Sequence, residues 1–190
     1  SLTEMSNSMT TNFSLPSPLP SKWSEFPATY RRAQVAEILS WVALGESGVV
    51  VGASGSGKSN IAGYIAQRSD VTSPLLPSAA ENYCFLHFDI NSLPVVTTTN
   101  FYRGLLYTLQ DAVEEMPALR DALAQLMTRL TNYEDHLALQ MTLHKAHELV
   151  IRRAGKQVIW LIDRFDEACR RLDVGVLNSL RSLRDQFKDY

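Results

Sequence analysis

Cysteine is scarce in this sequence: the 190 residues contain only Cys84 and Cys169, which are far apart and have no metal-binding or redox spacing. A disulfide-rich secreted scaffold is therefore not indicated, and we expect a reducing, cytoplasmic location. No apolar run approaches the ~20 residues that a membrane-spanning helix needs. The N-terminus also lacks the basic segment and apolar stretch of a secretory signal. We therefore expect no membrane partner.

The sequence also lacks a strong excess of charge of either sign, because 18 Lys and Arg residues stand against 20 Asp and Glu residues. The basic excess typical of nucleic-acid-binding domains is missing, so nucleic acid is not indicated as a partner of this segment. Residues 1–22 have few apolar side chains and many Ser, Thr and Pro. Such a composition buries too little apolar surface to offset chain entropy, which predicts a disordered tail. Residues 23–190 are then one domain.

Within residues 23–190, the apolar pattern predicts strands that alternate with helices. Three apolar segments predict buried strands, at residues 47–52, 82–90 and 157–163. Long amphipathic helices are predicted between the second and third strands, where Phe101 and Leu105 belong to one apolar stripe. This order predicts an α/β fold with a mostly parallel sheet, helices on both faces and a helical insertion between the second and third strands.

The segment GASGSGKS, residues 52–59, matches the phosphate-loop pattern G-x-x-x-x-G-K-[ST], with a predicted strand before it and a predicted helix after it. Glycines let backbone N–H groups surround a polyphosphate, and the helix N-terminus adds the positive end of its dipole. Lys58 can reach the β- and γ-phosphates, and Ser59 can hold Mg²⁺. The alternative is a glycine turn that carries Lys-Ser by chance. The predicted ligands are ATP or ADP with Mg²⁺, and the predicted contact residues are Gly52, Ala53, Ser54, Gly55, Ser56, Gly57, Lys58, Ser59 and Asn60.

A second candidate feature is the acidic end of the third predicted strand, in the segment VIWLIDRFDEA. Ligands of parallel sheets bind at the carboxyl ends of the strands, so Asp163 is the predicted Mg²⁺ carboxylate beside Ser59. Asp166 or Glu167, about one turn further on, can orient an attacking water as the general base. The alternative is that Asp163 caps the next helix, with Asp166 and Glu167 complementing its dipole.

Together, GASGSGKS and VIWLIDRFDE resemble the ATPases of the AAA+ and STAND groups, which include NACHT-like and origin-recognition-like nucleotide-binding domains. The resemblance covers roughly residues 26–187. It implies a three-layer P-loop NTPase fold and a switch domain that binds and slowly hydrolyses Mg-ATP to control assembly or signalling. It also implies self-association or a place in a larger multidomain chain. The sequence departs from the NACHT pattern at Arg164, where a small residue is usual.

In that superfamily, a strand with a polar sensor residue and a lid subdomain follow the acidic strand. The sequence ends at Tyr190, before such a strand would begin. We therefore expect residues 23–190 to be an N-terminal part of a longer protein, and ATP turnover by this part alone does not follow from the motifs. Two other functions stay open: a regulatory module that binds nucleotide with little turnover, and a replication-initiator or loader ATPase.

Overall fold

The structure, a computed structural model, describes residues 22–130 and 134–187. Residues 1–21, which make up most of the predicted tail, lie outside the described residues. Short 3₁₀ turns cover Lys22–Glu25, Ser73–Leu75, Ala80–Asn82 and Ile90–Ser92. The longer elements are α1 (Arg32–Ala43), α2 (Lys58–Gln67), α3 (Ser69–Thr72), β1 (Tyr83–Asp89), α4 (Thr98–Ala112), α5 (Pro117–Thr128), α6 (His136–Ala154), β2 (Gln157–Asp163), α7 (Phe165–Arg171) and α8 (Val174–Phe187).

The sheet of the described residues has two parallel strands, β1 and β2, which pair in register from Tyr83 opposite Gln157 to Asp89 opposite Asp163. Parallel neighbours need a long crossover connection, and α4, α5 and α6 provide it. Aromatic residues are frequent in β1, as is typical of strands. Because side chains alternate along a strand, each strand presents one set of residues to each face of the sheet.

One face of the sheet, here called the α4–α6 face, carries the larger core. Leu86 and Phe88 of β1 pack there with Leu105 of α4 and Leu143 of α6, and all four side chains are at most 3% exposed. Trp160 and Ile162 of β2 lie against the same cluster. Helix α8 is tied to this core by a buried hydrogen bond of 2.6 Å between the hydroxyl groups of Tyr102 and Ser179.

The opposite face, here called the α2 face, carries a smaller core. Phe85 of β1 and Leu161 of β2 pack there against Ile61, Tyr64 and Ile65 of α2. Val35 and Leu39 of α1 complete this cluster. The helix that follows the glycine-rich segment is therefore held against the sheet by its apolar stripe, and its first turn is fixed relative to the strand ends.

One predicted strand is wrong. Residues 46–53 form no strand in the structure, and the side chains of Val49, Val50 and Val51 are 77%, 44% and 89% exposed. An extended segment needs a neighbour for its backbone N–H and C=O groups, and β1 and β2 pair only with each other among the described residues. A three-layer P-loop fold with a larger parallel sheet therefore stays a prediction.

Among residues 22–130 and 134–187, no helix combines the length and the apolar character needed to cross a bilayer.

Candidate functional site

The glycine-rich loop at residues 52–57 leads directly into helix α2. Gly55 and Gly57 have φ angles of 75° and 84°, which glycine adopts readily and other residues do not. The backbone N–H of Ser56 donates to the carbonyl of Ala53 at 3.2 Å and closes a tight turn. Within the described part of the chain, the first turn of α2 has no acidic residue and no side-chain cap. Its backbone N–H groups and the positive end of its dipole therefore lack a protein anion.

The side chain of Lys58 folds back over this loop. Its Nζ donates to the carbonyls of Gly52 at 2.6 Å and Ala53 at 2.8 Å, and it lies 3.4 Å from the hydroxyl of Ser56. The ammonium group is thus positioned above the turn by oxygen atoms of the loop itself. An anion in the loop can exchange for these carbonyl contacts without moving the helix.

The segment before α1 packs on the outside of the same loop. Arg31 adopts a left-handed conformation with φ of 45°, and its Nη2 donates to the carbonyl of Ser56 at 2.5 Å. The hydroxyl of Tyr30 would lie 3.5 Å from a Cβ added to Gly57. Arg31 therefore fixes the position of the Ser56 carbonyl and connects the segment before α1 to the loop.

Asp163 is the last residue of β2 and is 9% exposed. Its Oδ1 accepts a hydrogen bond from the backbone N–H of Arg164 at 2.9 Å, so it does support the turn into α7. Its Oδ2 is buried and has no hydrogen-bond partner among the described residues. A buried carboxylate oxygen without a partner is costly and rare, so it is a candidate ligand atom.

The alternation along the strands puts Asp163 on the α2 face. Leu161, two residues earlier, packs on that face, as does Phe85 of β1. His87 lies between Phe85 and Asp89 on the same side of β1. Burial lowers the pKa of His87, while the nearby charges of Asp163 and then Asp89 raise it. The charges of Asp163 and Asp89 therefore act on His87. All three residues lie on the face that packs against α2, the helix that contains Ser59.

The two candidate general bases lie in α7 and are engaged in ion pairs. Arg170 bridges Asp166 at 2.6 Å and Glu167 at 3.0 Å, and Arg171 contacts the other oxygen of Glu167 at 3.3 Å. The side chain of Asp166 is 71% exposed and that of Glu167 is 33% exposed. Helix geometry favours such pairs at spacings of three and four. Both acids are thus paired with arginines of α7, and a role of either in catalysis stays a prediction.

Sequence reasoning missed Asp89, which ends β1 directly opposite Asp163. Its Oδ1 accepts from the backbone N–H of Asn91 at 2.9 Å and lies 3.9 Å from Nε of Arg164. With the side-chain amide turned to suit its surroundings, the oxygen of Asn91 accepts from Arg164 at 2.9 and 3.2 Å. The available signal was an aspartate at the end of the apolar run YCFLHFD, the same signal that singled out Asp163.

These residues fit Mg²⁺ only in combination with a phosphate ligand. No group of three or more His, Cys, Asp or Glu side chains in the described ranges could hold a metal ion by itself. Protein-bound Mg²⁺ commonly takes one or two carboxylates, keeps several waters and completes its shell with substrate phosphates. The unpartnered Oδ2 of Asp163 and the hydroxyl of Ser59 are the expected protein donors.

The comparisons with known proteins identify the family. The family model described as "Nephrocystin 3, N-terminal" matches residues 33–189, which is well over half of the chain. The chain therefore belongs to the nephrocystin 3 N-terminal family. Neither the curated proteins nor the solved structures gave a match.

Proposed function

We propose that this domain binds Mg²⁺ with ATP or ADP in the glycine-rich loop and acts as a nucleotide-operated switch with slow ATP hydrolysis. The observation that best supports the proposal is the conformation of the glycine-rich loop and its contacts with Lys58. The loop has two left-handed glycines, it leads into a helix start that has no side-chain cap, and the Lys58 ammonium contacts its Gly52 carbonyl. Glycine-rich loops that lead into a helix N-terminus bind phosphate.

In this proposal, Lys58 exchanges its contacts with Gly52 and Ala53 for oxygens of the β- and γ-phosphates. Arg31 holds the Ser56 carbonyl in place, so that ligand binding needs little loop reorganisation. Ser59 and Asp163 hold the metal ion, which supplies neutralisation of phosphate charge when it is bound. Three-layer P-loop architecture and membership of the AAA+ and STAND groups are part of the same proposal.

A second candidate function is a regulatory module that binds nucleotide with little turnover. The ion pairs of Glu167 favour it, because Arg170 and Arg171 engage both of its carboxylate oxygens and a general base needs an available one. The two functions share the binding site and differ only in turnover.

The test is calorimetric binding of ATP, ADP and GTP to the 190-residue chain with Mg²⁺ present, followed by phosphate release. Lys58→Ala is expected to weaken nucleotide binding about 10- to 100-fold, because a charge-assisted contact is worth ~1.5–3 kcal/mol. Lys145→Ala, an exposed lysine on α6, is the matched control and should bind like the unmodified chain. Absence of nucleotide binding by the unmodified chain would overturn the proposal, and binding without phosphate release would favour the regulatory module.

A further inference from the structure

We propose that Asp89 is the second carboxylate of the magnesium site, alongside Asp163. This inference rests on the proposed nucleotide binding and extends it to a residue that no motif marks. Asp89 and Asp163 are paired in the register of the parallel sheet, at the last position of each strand. Since neighbouring strands lie ~4.8 Å apart, the two carboxylates leave the sheet side by side.

Both carboxylates leave the sheet on the α2 face. Phe85 and Leu161 fix this assignment, because they pack against α2 and lie an even number of residues before Asp89 and Asp163. His87 lies between Phe85 and Asp89 on the same side of β1. The start of α2, with Ser59, is held over the same face by Ile61 and Ile65.

Each carboxylate keeps one oxygen without a hydrogen bond in the described part of the chain. Asp163 is more than nine-tenths buried, and its Oδ2 has no hydrogen bond. The Oδ1 of Asp89 accepts from the N–H of Asn91, its side chain is 41% exposed, and no hydrogen bond to its Oδ2 is present among the described residues. Arg164 is held mainly by the Asn91 side chain and lies 3.9 Å from Asp89. Two hard oxygen donors next to a phosphate-binding loop suit Mg²⁺.

The competing explanation is that Asp89 only caps the 3₁₀ turn at Ile90–Ser92, which its hydrogen bond to Asn91 supports. Asn and Ser are equally good caps but carry no charge. The variants Asp89→Asn and Asp89→Ser therefore keep the capping role and remove the carboxylate charge, which contacts the proposed magnesium ion and lies 3.9 Å from Arg164. Asp121→Asn is the matched control, because Asp121 of α5 is an exposed aspartate outside the site and is also paired with an arginine, Arg120, at 3.1 Å.

The experiment titrates Mg²⁺ into each variant at a fixed ATP concentration and measures ATP binding, with parallel measurements in EDTA. Asp89→Asn and Asp89→Ser are expected to raise the Mg²⁺ concentration for half-maximal binding about 10-fold, the lower end of what loss of a supporting carboxylate costs. ATP affinity in EDTA and the thermal unfolding midpoint should stay unchanged. Asp163→Asn should show a larger increase, and Asp121→Asn none.

The outcomes separate the two proposals. In one outcome, the unmodified chain binds ATP in a Mg²⁺-dependent way and both Asp89 variants show the same dependence. Asp89 is then only a cap, and this inference fails while the proposed nucleotide binding stands. If ATP binding by the unmodified chain does not depend on Mg²⁺, the inference about Asp89 is also overturned, while the proposed nucleotide binding stands. If the unmodified chain binds no nucleotide, the proposed function and the inference that rests on it fail together.

Discussion

The two faces of the sheet differ in whether their buried polar atoms are hydrogen-bonded. On the α4–α6 face, the ring of His147 is 3% exposed and fully hydrogen-bonded. Its Nδ1–H donates to the carbonyl of Leu143 at 2.8 Å, and its Nε2 accepts from the indole N–H of Trp160 at 2.7 Å. On the α2 face, Nε2 of His87 and Oδ2 of Asp163 are buried without partners among the described residues.

This difference indicates which face of the sheet contributes mainly to stability and which face is suited to binding a ligand. A face whose buried polar atoms are all paired contributes to the free energy of folding through apolar burial. A face that keeps unpaired polar atoms loses stability there and is suited to a ligand that supplies the missing contacts. The comparison thus assigns the core to the α4–α6 face and the candidate site to the α2 face, and it can be tested with substitutions on each side.

The largest effect on stability is expected in the larger core. Leu105 of α4 is 0% exposed, and Leu105→Ala should lower the free energy of unfolding by about 2–5 kcal/mol, the usual cost of lost burial plus a cavity. Val51 is 89% exposed, and Val51→Ala should change the free energy of unfolding by less than about 0.5 kcal/mol. Urea denaturation monitored by circular dichroism measures both. Equal costs for the two variants would contradict the assignment of the core.

A smaller effect is expected from the buried His147 and the partly buried His87. Burial lowers the pKa of His147 from 6.5 to about 4, against a smaller opposing effect of its bond to Leu143. The unfolded chain therefore takes up a proton below pH 6.5 that the folded chain does not. Stability is fully present above pH 6.5 and is lost as the pH falls towards 4, by about 2–3 kcal/mol between pH 7 and pH 4.5.

Denaturation of the chain at these two pH values, with His147→Gln and His87→Gln as a matched pair, checks this prediction. His147→Gln should remove most of the dependence between pH 6.5 and 4.5. His87→Gln should remove less, because Asp163 and Asp89 partly offset the effect of burial on the pKa of His87. A larger change for His87→Gln than for His147→Gln would reverse the comparison of the two faces.

The smallest stability effect, and the one of opposite sign, is expected at Asp163. Asp163→Asn keeps the oxygen that accepts from Arg164 and removes a buried negative charge, so the free energy of unfolding without nucleotide should rise by about 1 kcal/mol. Denaturation in EDTA measures this change. Asp163→Ala serves as the control, since it also loses the hydrogen bond and should be less stable. A marked loss of stability in Asp163→Asn would show that Asp163 serves the fold and not a ligand.

Much of the candidate site could be predicted from the sequence because its geometry is local. The left-handed turns at Gly55 and Gly57, the start of α2 at Lys58 and the aspartate at the end of β2 depend on residues a few positions apart. The ion pairs of Asp166 and Glu167 were also predictable in principle, because they follow helical spacing. Amphipathic stripes located the helices α4 and α6 for the same reason.

Tertiary structure alone decided which of these elements meet. Apolar runs indicate that a strand is buried and leave its neighbour unspecified, so the exposure of Val49–Val51 and the pairing of β1 with β2 were not predictable. The position of Asp89 beside Asp163 follows from a register between segments about seventy residues apart. The contact of Arg31 with Ser56 likewise spans 25 positions. Hydrophobic burial is non-directional, so the sequence pattern indicated which residues are apolar enough to be buried, while packing of the whole chain determined which of them are buried and what they touch.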